Sequence, residues 1–202
     1  MGLDSSILPY LPASWTNAPN MSAAAKTAIG KVTFRMLLTH TSGFCPPGAS
    51  MDTYDGLKTM VQNGPSTPGS DSYCNGGYAL LRILIPYVVD GPQAYADLES
   101  NPALNDNVTS ISYRNYVRGR IFDPIGLPGV DVFYTGHTGS VETIYYTSSP
   151  PKPQPDNVSV PGCAPAVPWP PSASSYHCDT TANSRVRSAA SGNWTLSAAE
   201  YL

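Results

Sequence analysis

Apolar positions recur at helical spacing in four places along the chain, and polar, proline- and glycine-rich stretches separate them. Phe34, Leu37 and Leu38 stand at i, i+3 and i+4 with Thr33 placed as N-cap, which predicts a compact helix. It should stop at "HTSGF", where Gly43 supplies the left-handed end. A second short helix is predicted over 52–61, with Tyr54, Leu57, Met60 and Val61 on one face. After the loop "NGPSTPGSDS", Gly76 or Gly77 opens a third, striped by Leu80, Leu81, Leu84, Ile85 and Val88, which Pro86 should kink or end. The fourth runs from about Ser112 to Ile121, burying Tyr116, Val117 and Ile121 and ending before Pro124.

Between these elements the pattern predicts less. Residues 3–12 ("LDSSILPYLP") read as an extended or turn segment, and Asn20 to Ile29 as a loop with a helical turn. "DGPQAYADLESNPALNDNVTS" reads as a polar insertion with a helical turn at Ala94–Leu98. "VETIYYT" (Val141–Thr147) is rich in strand formers. Ser148–Val186 is a proline-rich loop, longer than a compact domain usually carries without a functional or stapling reason. Ser197 stands as N-cap of a further helix.

Composition narrows the function classes. The 202 residues suffice for one domain or part of a larger one. A net charge of −3 with 12% charged residues leaves no polybasic footprint, so no nucleic-acid partner is expected. No apolar run approaches the roughly 20 residues that span a bilayer, and residues 1–20 show no signal-peptide pattern. Four cysteines occur, none in a C-x-x-C pair, so neither a metal nor a cofactor is expected. Cys163 and Cys178 bracket a loop with little means of ordering itself, and a disulfide between them is the expected staple. Free, half-buried thiols are the other reading, and Cys45 and Cys74 could pair as well. Sequons at Asn20, Asn107, Asn157 and Asn193, taken with the cysteines, lean towards an oxidising, extracytoplasmic setting.

Five stretches, in order, carry a resemblance. "LDSSILPYLP", "VTFRMLLTHTSGF", "PGSDSYCNGGYALL", "YVRGRIFDPIGLPGV" and "SGNWTLSAAEYL" together resemble the serine β-lactamase-like hydrolases, which group class C β-lactamases, D,D-peptidases and related esterases. The resemblance implies an α/β (α+β) β-lactamase or transpeptidase-like fold, of which this chain is mainly the helical lobe. On that basis residues 1–135 hold the helical-lobe region, 136–188 a proline-rich insertion loop and 189–202 the start of the next helix. The family's kit is a nucleophilic serine with its lysine in S-x-x-K, a Y-x-N tyrosine and asparagine, and a closing K-T-G or H-x-G strand. Tyr73 and Asn75 match the second part, as proton shuttle and substrate-holding amide. A phenol of ordinary pKa about 10 is a poor base at neutral pH and needs cationic neighbours for that work. Their i, i+2 spacing places both side chains on one side of an extended turn, with Cys74 pointing away.

The other parts have only decoys. Ser149-Pro150-Pro151-Lys152 is a literal S-x-x-K, but two prolines bar the shared helical face. Ser22 and Lys26 are one residue too far apart, and His137-Thr138-Gly139 lies before the helix that the family places ahead of its H-x-G strand. His40 is expected to make structural hydrogen bonds at its helix end. The chain therefore looks like the family's middle, with the serine–lysine helix and any signal peptide expected upstream of Met1. The implied function is that of part of an extracellular or periplasmic serine hydrolase acting on amide or ester carbonyls of a small-molecule or peptide substrate. The alternative is a non-catalytic binding or structural module derived from the helical lobe.

Overall fold

The computed structural model of the protein describes residues 1–45, 51, 53–91, 95, 98, 102–127, 130 and 194. Among them are six α-helices: α1 (Ala13–Thr16), α2 (Ala23–Gly30), α3 (Phe34–Leu38), α4 (Tyr54–Asn63), α5 (Asn75–Asp90) and α6 (Pro102–Val117). No strand occurs among the described residues beyond one antiparallel bridge, Ser6 to Thr33. Val141–Thr147, the loop 148–186, both Cys163 and Cys178, and the Ser197 helix start lie outside them.

The N-terminal segment is built of turns and a short 3-10 helix, Leu8–Tyr10, and it is stitched to the start of α3. Ile7 N–H donates to Val32 O at 3.0 Å, and Arg35 N–H to Leu3 O at 2.8 Å. Arg35 also grips the Asp4 carboxylate through both oxygens, at 2.7 and 2.9 Å. That hydrogen bond holds the Asp4 carboxyl below its ordinary range. Ile7, Leu11 and Trp15 then drop into the core, where the Trp15 ring meets Tyr54 edge-on at 4.9 Å.

Caps decide most boundaries. Thr33 accepts from Met36 N–H at the head of α3, and Thr53 from Gly56 N–H at the head of α4. Asn20 to Ile29 is more helical than its composition suggests: Ser22 accepts from Ala25 N–H and starts an eight-residue helix that buries Ala25 and Ile29. Alanine has the highest helix propensity, so one good cap suffices.

Three expectations are corrected. Pro86 does not end α5, which continues to Asp90. An interior proline costs about 3 kcal/mol. Burying a large apolar side chain returns about 1.5–3 kcal/mol, and α5 buries Leu80, Leu81, Ile83, Leu84 and Tyr87. The packing wins. Next, the last helix starts at Pro102, ten residues before Ser112. Its apolar stripe is thin, Leu104, Val108 and Ile111, and polar groups are buried around it: Asn105, Asn107, Thr109, Ser110 and Ser112 are all buried. Thr109 and Ser110 hydroxyls donate back to the carbonyls of Asn105 and Asp106, four residues earlier, at 2.8 and 2.6 Å. Finally, Ile121 is 49% exposed, not buried, while Val117 is buried and Tyr116 half-buried. A five-residue π turn, Arg118–Phe122, follows α6 and resets the face that each later side chain presents. Asn107 is only 7% exposed with Thr109 fully buried, so this sequon has no room for a glycan in the folded chain.

α4, α5 and α6 converge on one ion pair. Arg82 of α5 is fully buried and donates to Asp106 Oδ1 at 3.1 Å and to Ser110 Oγ at 3.0 Å. The same Asp106 oxygen accepts from Tyr54 N–H, the first residue of α4. One carboxylate thus neutralises a buried guanidinium and caps a helix N-terminus.

Two outcomes follow from this core. Asp106→Ala should destabilise the fold by about 3–5 kcal/mol, because it strands the Arg82 charge. The double variant Arg82→Met/Asp106→Leu should recover most of that loss, read as urea midpoints. Separately, burial, and then the neighbouring Tyr78, push the Tyr113 phenol from 10.0 up to about 12. The unfolded chain's phenol ionises first, so stability is whole below pH 10 and falls as pH rises towards 12. The loss at the top of that window is on the order of 2–3 kcal/mol. Tyr113→Phe should flatten this alkaline limb in melts recorded from pH 9 to 12.

Candidate active site

The site is built where α5 meets the loop leaving α3. Cys74 is the N-cap of α5 in an extended conformation, φ −159° and ψ 136°, so Tyr73 and Asn75 project to one side. Tyr73 Oη donates to Asn75 Oδ1 at 3.2 Å, and the Tyr73 side chain stands in solvent at 77% exposure. Asn75 is half-buried. Between them, the Cys74 side chain turns away and forms a disulfide with Cys45, with a Cα–Cα distance of 5.6 Å.

Glycine lets α5 approach this loop. A Cβ on Gly76 would collide with the Phe44 carbonyl oxygen and stand 3.0 Å from Met60 Sδ. One on Gly77 would lie 3.0 Å from Ser42 Oγ and 3.2 Å from Leu37 O. Neither glycine has a positive φ, so the reason for both is space. The first turn of α5 therefore sits directly on residues 42–44, which fixes where Tyr73 and Asn75 stand.

The loop itself departs from expectation. α3 ends at Leu38, and the first left-handed residue after it is His40, φ 56°, with Gly43 at φ 76° three residues on. A residue other than glycine or asparagine in that region costs roughly 1–2 kcal/mol. His40 repays it through contacts 34 residues away, not at its own helix end. Its Nδ1 lies 3.0 Å from Cys74 O and 3.3 Å from Cys74 N, donating to the first in one tautomer and accepting from the second in the other. Its ring centroid is 4.4 Å from that of Tyr73 and 4.8 Å from that of Tyr78. Backbone bonds complete the seam: Ser72 N–H to His40 O at 3.1 Å, Gly69 N–H to Thr41 O at 2.8 Å and Ser66 N–H to Gly43 O at 3.0 Å.

The Ser22 hydroxyl is occupied as a helix cap, and Lys26 Nζ donates to Asn17 Oδ1 at 3.0 Å. His137, Ser149 and Lys152 lie outside the described residues. No group of three or more histidine, cysteine or acidic side chains able to hold a metal ion occurs among the described residues. His40 was the one member of the cluster not readable as such from its sequence. Its only signal is a ring-bearing residue placed between a helix end and the glycine that could have ended it.

An exposed phenol held against an amide, at the head of a buried helix, suits proton transfer beside a bound carbonyl. No curated protein and no solved structure gives a significant match to the chain. The family model described as Beta-lactamase matches residues 1–201. The chain belongs to the Beta-lactamase family.

Proposed function

We propose that this chain carries the tyrosine–asparagine half of a serine-hydrolase site that cleaves amide or ester carbonyls through an acyl-enzyme. The observation that carries the reading is the Tyr73–Asn75 pair, 3.2 Å apart and open to solvent, within a chain of the Beta-lactamase family. In this reading a serine hydroxyl attacks the substrate carbonyl and Tyr73 Oη relays its proton to the leaving group. Asn75 Oδ1 is engaged by the phenol, which leaves its amide N–H groups to donate to the substrate. The serine and its lysine come from an S-x-x-K helix that residues 1–202 do not supply, and that lysine is the cation the phenol requires. β-Lactam, D-peptide and simple ester substrates share this chemistry.

The Cys45–Cys74 disulfide supports an oxidising, extracytoplasmic setting. No helix among the described residues is long and apolar enough to cross a membrane.

In a form that carries the serine–lysine helix, Tyr73→Phe should lower turnover of a chromogenic β-lactam or a short-chain nitrophenyl ester about 10²-fold or more. Its melting temperature should hardly move, because the ring is exposed. Residues 1–202 alone should not turn over either compound. Turnover that Tyr73→Phe leaves intact would defeat the reading, and inactivity of every form would favour a non-catalytic module.

A further inference from the structure

We propose that His40 is the positioning residue of Tyr73, a platform that sets the direction of the phenol. The inference rests on Tyr73 being the proton shuttle, but its geometry stands on four contacts that meet at one side chain or its backbone. His40 O accepts from Ser72 N–H at 3.1 Å, before Tyr73. His40 Nδ1 engages the Cys74 peptide, after Tyr73. The imidazole face lies against the Tyr73 ring at 4.4 Å with the planes 37° apart. Its other neighbour is Tyr78, at 4.8 Å and 39°.

Tyr78 is itself fixed. Its hydroxyl donates at 2.6 Å to Leu38 O, one of the carbonyls left without a partner at the end of α3. The stack Tyr78–His40–Tyr73 thus runs from the end of α3, through the loop, to the head of α5. Tyr73 needs such a platform. It is 77% exposed and its hydroxyl reaches Asn75.

The backbone makes the case specific. His40 occupies the left-handed region at φ 56°, where glycine or asparagine would sit with less strain. The chain uses glycine three residues later, at Gly43, for that purpose. Where only a turn is required, glycine serves with no ring, as it does at Gly43. Strain retained at a residue whose ring abuts a reactive side chain is the signature of a functional constraint.

The experiment replaces the ring while keeping the turn. His40→Asn and His40→Gly both suit the left-handed backbone, and both remove the platform. Tyrosine ring resonances of the 202-residue chain are recorded by NMR with labelled tyrosine, Tyr73 being assigned by its loss in Tyr73→Phe. Both variants should melt at or above the parent temperature, while the Tyr73 resonances lose their ring-induced displacement and move to free-tyrosine positions. His40→Phe restores a ring at the cost of the turn, and should keep part of that displacement with a lower melting temperature. Unchanged Tyr73 resonances in His40→Asn and His40→Gly would overturn the proposal. So would loss of the fold in His40→Gly, since His40 would then be structural. The readout requires no turnover, so it can fail or succeed independently of the hydrolase reading.

Discussion

Asp106 Oδ1 is the point on which the helical assembly turns. It answers the buried guanidinium of Arg82 in α5, caps the first amide of α4, and sits on α6 beside Ser110, which shares Arg82. A charge as deep as Arg82 is tolerated only where a partner and further hydrogen bonds replace its lost hydration. The requirement fixes the rotation of α6 about its axis, because Asp106 and Ser110 are four residues apart and must face Arg82 together. With α5 so fixed, its first turn can rest on residues 42–44, and the Tyr73–Asn75 pair acquires a place. The polar centre therefore acts at a distance on the site, through the rigid body of α5.

How far this was legible in the sequence depends on which force shaped each element. α4 buries its apolar stripe and α3 buries Phe34 and Leu37 but leaves Leu38 exposed, and their caps, Thr33 and Thr53, are of the type the pattern rewards. Those helices were readable. α6 buries serine, threonine and asparagine beside a thin apolar stripe of Leu104, Val108 and Ile111, so its first half reads as a polar insertion, and its polar partners lie on another helix. Pro86 reads locally as a break, yet the tertiary burial around it outweighs one lost bond. Ile121 is apolar but lies in the π turn, where the register of α6 no longer applies. The described residues form helices without strands, consistent with the expected helical lobe, and the family match shows membership of the Beta-lactamase family.

The site divides in the same way. Tyr73 and Asn75 were singled out by the resemblance of their stretch to a Y-x-N motif, since the i, i+2 spacing alone reads as a capped turn, and the Cys45–Cys74 pairing was one of the open possibilities. The contacts of His40 were not visible. Its contacts lie 34 residues away, and its backbone angle is one that composition would have given to glycine. Residues that act by holding another residue leave little trace in spacing. They become apparent only when a strained angle and a long-range contact coincide.

The Cys45–Cys74 bond has a topological consequence. It closes residues 45–74, α4 included, into a covalent ring across a sequence separation of 29. In the unfolded chain this closure removes about 3–4 kcal/mol of conformational freedom. In the folded chain it makes the backbone redundant there. A single peptide cleavage anywhere between Cys45 and Tyr73 leaves one molecule, with Tyr73 still joined directly to its anchor at Cys74. In a medium containing proteases, such a ring lets the loop side of the site be nicked without being lost.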